Sequence, residues 1–147
     1  MIPFRWALCL LIAWLGLGSA ALAQNDRVII QVVNGRTGKL LAKQRLLLFV
    51  GGSPEAVRQH YNHYELFTDK VGQAGLILEP QMQRLQVWVD FHILCQKEPN
   101  FRSFSVATIM STGLSTPNSC GSVSKKAKPG RLVVFARPAT FWEKMRR

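Results

Sequence analysis

The stretch RLQVWVDFHILC, residues 84–95, carries an apolar side chain at every second position. Successive side chains of a β-strand point to opposite faces, so this alternation is typical of a strand with one buried face. The sequence predicts one long strand whose core face holds Leu85, Val87, Val89, Phe91, Ile93 and Cys95. The opposite face would hold Gln86, Trp88, Asp90 and His92.

Other segments indicate further strands separated by turns. Residues 28–32 alternate in the same way, and the apolar run RLVVFA at 131–136 lies between proline and glycine residues. Shorter candidates lie at residues 64–68 and 76–78. The spacing of these runs predicts an all-β fold, a small antiparallel β-sandwich that forms one domain over residues 24–147.

A short helix is predicted after the second apolar run. Ser53 is a good N-cap and Pro54 suits the first helical position, so a turn or two would run to about His60. The preceding stretch LLAKQRLLLF, residues 40–49, is ambiguous. Its length and flanking glycines fit a strand, whereas its residues have good helix propensity.

A second short helix is predicted at the C-terminus, over residues 140–147. Thr140 is an N-cap and Glu143 follows three residues later, which together form a capping box. Arg146 and Arg147 lie at the end of the segment, where the helix dipole favours positive charge.

The first 23 residues have one arginine, a long apolar run and small residues that end in Ala-Leu-Ala. This pattern predicts a signal peptide over residues 1–23, cleaved after Ala23, and export to the periplasm or the medium. An uncleaved anchor is the alternative, because the run of about 18 residues is near the lower limit for a spanning helix. Without this segment and its Arg5, 18 Lys and Arg oppose 8 Asp and Glu, a net charge of +10.

The mature chain would keep two cysteines, Cys95 and Cys120. An even count in an exported protein favours one disulfide, with two free thiols as the alternative. Closing a loop of about 25 residues would stabilise the fold by roughly 3–4 kcal/mol. The disulfide would tie the sheet to a long loop at residues 111–130, which is rich in Ser, Thr, Pro, Gly and Lys.

The stretch NGRTGKLL, residues 34–41, follows the β-branched run VIIQVV and contains a Gly-Lys pair. A phosphate-binding P-loop needs four residues between its glycine and Gly-Lys, then Ser or Thr. Here two residues separate Gly35 from Gly38, and Leu40 follows Lys39, so the phosphate interpretation fails. Asn and Gly tolerate the backbone angles of a tight turn, which is the interpretation that remains.

The order of this turn, the apolar run at residues 46–50 and the later TDKVGQA before LIL resembles a carboxypeptidase regulatory-like domain over residues 26–79. The resemblance implies a prealbumin-like (transthyretin-like) or Ig-like sandwich. Leu40 replaces the usual Pro of that family, and Lys43-Gln44 replaces the usual Gly-Ala. Transthyretin-like hydroxyisourate hydrolases end in Tyr-Arg-Gly-Ser, which this chain lacks, so their activity is not implied. Residues 118–147 also resemble the ending of small exported bacterial proteins, which implies no activity.

The candidates for chemistry are few. His60, His63 and His92 are the histidines, and a zinc site needs three or four ligands, so they are weak metal candidates. Asp90 and His92 share one strand face, and a serine of residues 111–119 is the only candidate to complete a hydrolytic set with them. Surface polarity explains these residues equally well. The sequence predicts no cofactor.

Basic and aromatic residues toward the C-terminus form a candidate binding surface. Its members are Trp88, Lys125, Lys126, Lys128, Arg131, Phe141, Trp142, Lys144, Arg146 and Arg147. An exported basic protein meets anionic phospholipid or acidic polysaccharide before nucleic acid, so an envelope polymer, a membrane surface or another exported protein is the expected partner. The interpretation that we favour is that Phe141 and Trp142 close one end of the sandwich while the charges are solvated.

Three hypotheses therefore follow from the sequence. The first is an exported, non-catalytic module with a structural or binding role at the cell envelope. The second is a small secreted hydrolase or metal-dependent enzyme that uses the histidines. The third is peripheral binding to anionic membrane through the basic, aromatic C-terminus.

Overall fold

The computed structural model describes residues 26–97 and 102–146. The predicted signal peptide, its cleavage site and Arg147 lie outside these residues. The described strands are β1 (Arg27–Asn34), β2 (Arg45–Gly51), β3 (His63–Phe67), β4 (Gln73–Ile77), β5 (Arg84–Val89), β6 (His92–Leu94), β7 (Phe104–Ser105), β8 (Leu114–Ser115) and β9 (Arg131–Pro138). The described helices are α1 (Pro54–Arg58), α2 (Val106–Ser111) and α3 (Phe141–Met145).

The strands form two sheets. The first has the order β4-β1-β9-β6, with β8 also paired to β9, and the second has the order β3-β2-β5-β7. Most pairs are antiparallel, but β9 lies parallel to β1 and to β8. The predicted antiparallel arrangement therefore holds for most strand pairs but not for these two. Parallel pairing needs a long crossover, and β1 and β9 are at opposite ends of the described chain.

The two sheets share one hydrophobic core, and the alternation in the sequence identifies much of it. The first sheet contributes Val28, Ile30, Val32, Leu132, Val134 and Ala136. The second contributes Leu46, Leu48, Val50, Leu85, Val87 and Val89. The buried positions are two residues apart in each strand, as expected for strands with one face on the core.

The predicted long strand at residues 84–95 is wrong, because the chain changes sheets within it. β5 ends at Val89, and β6 begins at His92 in the other sheet. Phe91, at the turn between them, has φ 54° and is 65% exposed instead of buried. Cys95 is buried as predicted, but in a second cluster on the outer side of the first sheet.

The outer faces of both sheets are partly covered. α1 packs on β2 and β5, which buries Gln86 although its strand position faces away from the core. Ser53 caps α1 as predicted. The ambiguous stretch at residues 40–49 contributes to strand β2. α2 was not predicted, and its end together with β8 replaces the start of the predicted loop at 111–130.

Candidate anion-binding surfaces

The turn at residues 34–39 folds around the side chain of Asn34. Its Oδ1 atom accepts hydrogen bonds from the backbone N–H groups of Arg36 (2.9 Å) and Thr37 (3.2 Å). Gly38 has φ 74° and donates its N–H to the Asn34 carbonyl oxygen at 2.8 Å. The N–H groups that would hold a phosphate are therefore occupied within the turn, which agrees with the turn interpretation.

The disulfide between Cys95 and Cys120 confirms the predicted pairing, with an S–S distance of 2.06 Å. It holds the loop of residues 116–130 over the outer side of the first sheet. There, Val123 and Ala127 pack against the buried cluster that contains Cys95. The loop is therefore a packed layer of the fold, tied at one point by a covalent bond.

The loop also contacts the turn at residues 34–39. Asn118 donates from Nδ2 to the carbonyl oxygens of Gly35 and Val123, both at 2.8 Å. Gly35 leaves no room for a side chain, because an added Cβ would lie 2.7 Å from the Cys95 Sγ atom. A Cβ added at Gly121 would likewise lie 2.7 Å from the Gly35 carbonyl oxygen. Turn and loop thus form one continuous surface.

We call the surface of turn 34–39 and loop 116–130 the basic face. Its exposed or half-buried cations are Arg36, Lys39, Lys125, Lys126 and Lys128. Neither segment contains an Asp or Glu, and residues 99–142 form a longer stretch that has none. In the described part of the chain, the arginines found in ion pairs are Arg45 and Arg137, neither on this face. Sequence reasoning missed Arg36 and Lys39, because only the folded chain brings turn 34–39 against the loop.

Helix α3 forms an exposed tip. None of its residues is buried, and Phe141, Trp142 and Met145 are 67%, 72% and 70% exposed. The favoured interpretation, in which Phe141 and Trp142 close one end of the fold, is therefore wrong. Phe91 lies beside this helix, since its carbonyl oxygen accepts from the Ala139 N–H at 3.0 Å. We call Phe91, Phe141, Trp142 and Met145 the aromatic tip.

The predicted capping box holds α3. The Thr140 side chain accepts from the Glu143 N–H, and the Glu143 carboxylate accepts from the Thr140 N–H. Arg137 also binds this carboxylate through two nitrogens, at 2.9 and 2.6 Å. The hydrogen bond from Arg137, followed by that from the Thr140 backbone, holds the pKa of Glu143 well below its usual value of 4.5. The same pair raises the pKa of Arg137, whose charge is thus engaged in fixing the helix.

This pairing gives a pH-dependent prediction. Because the folded pKa of Glu143 is depressed, its contribution is complete above about pH 4.5 and is lost as the pH falls toward the folded pKa. We expect the amide of Lys144, which donates to the Thr140 carbonyl oxygen, to exchange at a constant rate from pH 5 to 7 after correction for intrinsic rates. Glu143→Gln should raise this exchange rate from pH 5 to 7 and remove the change below pH 4.5, so that the two proteins converge in acid. Equal exchange in both proteins from pH 5 to 7 would contradict the role of the carboxylate.

The structure divides the predicted binding surface. Lys128 and Arg131 lie at the start of β9, whereas α3 follows its end, about 23 Å away along an eight-residue strand. Turn 34–39 lies at the α3 end, because Asn34 pairs with Ala136. Trp88 is on the second sheet, where its ring packs at 5.3 Å from those of Phe49 and His60. It therefore belongs to neither the basic face nor the aromatic tip.

The histidines are divided between the two sheets. The rings of His60 and His63 lie 4.1 and 6.1 Å from the ring of Phe49, measured between centroids. His92 is the first residue of β6, in the first sheet. Across residues 26–97 and 102–146, no three His, Cys, Asp or Glu side chains are grouped so that they could hold a metal ion.

The predicted contact between Asp90 and His92 takes another form. His92 Nδ1 lies 2.8 Å from the Asp90 backbone carbonyl oxygen. The Asp90 carboxylate accepts hydrogen bonds from Arg45 and from the Phe91 N–H. Ser119 donates its hydroxyl to the Cys95 carbonyl oxygen at 2.8 Å. These contacts fix the turn and the loop, and they do not align a serine, a histidine and a carboxylate.

Comparison with known proteins found no matching family model, no matching curated protein and no matching solved structure. The helices among the described residues are all too short, or too polar, to span a lipid bilayer.

Proposed function

We propose that the mature chain is an exported, non-catalytic β-sandwich module of the carboxypeptidase regulatory-like kind, which binds the anionic bilayer surface of the cell envelope through its aromatic tip. Two sheets around one core support the sandwich assignment. The N-terminal sequence pattern and the disulfide support export, because disulfides persist in oxidising compartments.

The exposure of the tip is the observation that carries the proposal. Three of the five residues of α3 are large and apolar, and they lie in solvent without burying any part of the helix. Contiguous exposed apolar side chains mark interaction sites in soluble proteins. Aromatic side chains are favoured where a bilayer meets water, because one part of the ring system is apolar and the other is wet.

The charges near the tip fit an anionic bilayer better than a neutral one. Lys144 lies within α3 and Arg146 directly follows it, so both cations are next to the apolar residues of the tip. A cation close to an anionic bilayer contributes about 1 kcal/mol to binding. Apolar anchors together with basic residues are the combination that peripheral proteins use at membranes.

Tryptophan fluorescence offers a direct test. The mature chain holds two tryptophans, Trp88 and Trp142, so a Trp88→Phe protein reports on Trp142 alone. We expect its emission to shift to the blue with vesicles that contain phosphatidylglycerol, and much less with phosphatidylcholine alone. Sedimentation should show binding weakened at least tenfold by Phe141→Ser with Trp142→Ser, because two apolar anchors are lost.

The matched control is Tyr61→Ser, which removes an aromatic side chain that is 80% exposed just before β3, at the end of the second sheet opposite the turn that carries Phe91. This variant should bind vesicles like the unmodified protein. Equal loss in the control and the tip variant, or no loss after truncation before Thr140, would contradict binding through the tip.

A further inference from the structure

The basic face gathers cations that have no acidic neighbour on their own segments. Arg36 and Lys39 come from the turn, and the loop adds three lysines. None of the five forms an ion pair among the described residues. The five cations are spread along the outer side of the first sheet, from turn 34–39 at the end of β1 toward Lys128 near the start of β9. Positive charge that extends along a surface in this way attracts a ligand with several negative charges.

The same face lacks apolar anchors. The large hydrophobic side chains that are exposed among the described residues include none from 34–39 or from 116–130. A bilayer-binding site needs such anchors, and a site for single-stranded nucleic acid needs exposed aromatic rings on which bases stack. Cations without either feature favour a ligand that stays hydrated and offers negative charges along its length.

The face is also rigid for a surface made of loops. The cystine holds one end of the cation-bearing segment. Asn118 joins the loop to the turn by one hydrogen bond, to Gly35, and braces the loop itself by another, to Val123. At the other end, Gly130 donates its N–H to Ile109 at 2.8 Å, and Arg131 donates to Lys128 at 3.0 Å. Because the backbone is already ordered, a ligand would not have to order it on binding.

We propose that the basic face is a second binding site, for a carboxylated linear polysaccharide, and that the Cys95–Cys120 disulfide keeps its two halves in place. This site is independent of the aromatic tip. Negative charges recur along such a polysaccharide, so a single polysaccharide molecule contacts the turn and the loop together. Its hydroxyl and carboxylate groups remain solvated at the lysines.

Fluorescence anisotropy with end-labelled polygalacturonate fragments tests the site. Lys125→Gln with Lys126→Gln should weaken binding about thirtyfold, because each of the two cations near an anionic surface contributes about 1 kcal/mol. The control is Arg58→Gln with Lys70→Gln, which removes the same net charge at exposed positions on α1 and on the turn before β4. The control should change binding less than twofold. Equal losses in the two variants would overturn the site, since only net charge would then matter.

Three further experiments separate the site from its alternatives. Cys95→Ala with Cys120→Ala changes no charge, and it should weaken polygalacturonate binding at least threefold in protein that is folded by its NMR spectrum. Unchanged binding would overturn the role of the disulfide. Phe141→Ser with Trp142→Ser should leave polygalacturonate binding unaltered even where vesicle binding is lost. A single-stranded oligonucleotide that bound more tightly than polygalacturonate through the same lysines would overturn the polysaccharide assignment.

Discussion

Replacing Cys95 and Cys120 together with alanine is expected to lower the free energy of unfolding by about 3–4 kcal/mol. The two residues are 25 positions apart, so the disulfide closes a substantial loop in the unfolded chain and reduces its conformational freedom. In the folded state, Cys95 is 1% exposed among Val33, Val133 and Phe135. Loss of its sulfur also removes packing from this cluster. A loss of this size is a large fraction of the roughly 5–15 kcal/mol by which native proteins are stable.

Urea denaturation of the double variant and of the unmodified protein, each with and without dithiothreitol, measures the effect. Reductant should destabilise the unmodified protein by a similar amount and leave the alanine variant unchanged. The dependence on urea should become steeper in the variant, since its unfolded chain expands further. A loss below about 1 kcal/mol would contradict the assigned role of the bond.

Replacing Gly113 with alanine is expected to cost about 3 kcal/mol or more. Gly113 follows α2 with φ 76°, a conformation that strains any other residue. An added Cβ would overlap the Lys128 carbonyl oxygen and would lie 2.6 Å from the carbonyl carbon of that residue. The neighbour is backbone, which cannot rotate away. The energetic costs of the backbone strain and of the collision therefore add.

Gly38→Ala is the matched control for this prediction. Gly38 has nearly the same φ, 74°, but its added Cβ would lie 3.5 Å from Val123, an ordinary contact. We expect Gly38→Ala to cost about 1–2 kcal/mol, the strain alone. Thermal and urea unfolding of both variants give the difference, which reports the collision. If the two substitutions cost the same, Lys128 moves aside and the loop is less fixed than its hydrogen bonds indicate.

Local patterns in the sequence predicted local structure well. Alternation identified the buried positions of β1 and β5, and Thr140 with Glu143 predicted the box that caps α3. Each of these depends on residues within a few positions of one another. The sequence also predicted the Cys95–Cys120 disulfide. Two cysteines follow the predicted signal peptide, and two cysteines allow only one pairing.

Contacts between distant segments explain the errors. Phe91 continues the alternation of β5, but the chain changes sheets there, so the residue is exposed and not buried. The parallel pairing of β1 with β9 joins segments that are about 100 residues apart, and no local pattern encodes it. Gln86 has the polarity of an exposed residue, and only the packing of α1 buries it.

The same distinction between local patterns and long-range contacts applies to the candidate binding sites. The sequence by itself determined the composition of this protein's surfaces: its net positive charge, its acid-free stretch and its aromatic C-terminus, since these are properties of the residues alone. Only the tertiary structure decided how these residues are grouped. The disulfide and Asn118 place the lysine-rich loop against turn 34–39, and β9 directs α3 into solvent instead of onto the core. The reason is physical, because long-range packing and covalent closure join segments that are far apart in the chain, and residue patterns report only their own neighbourhood.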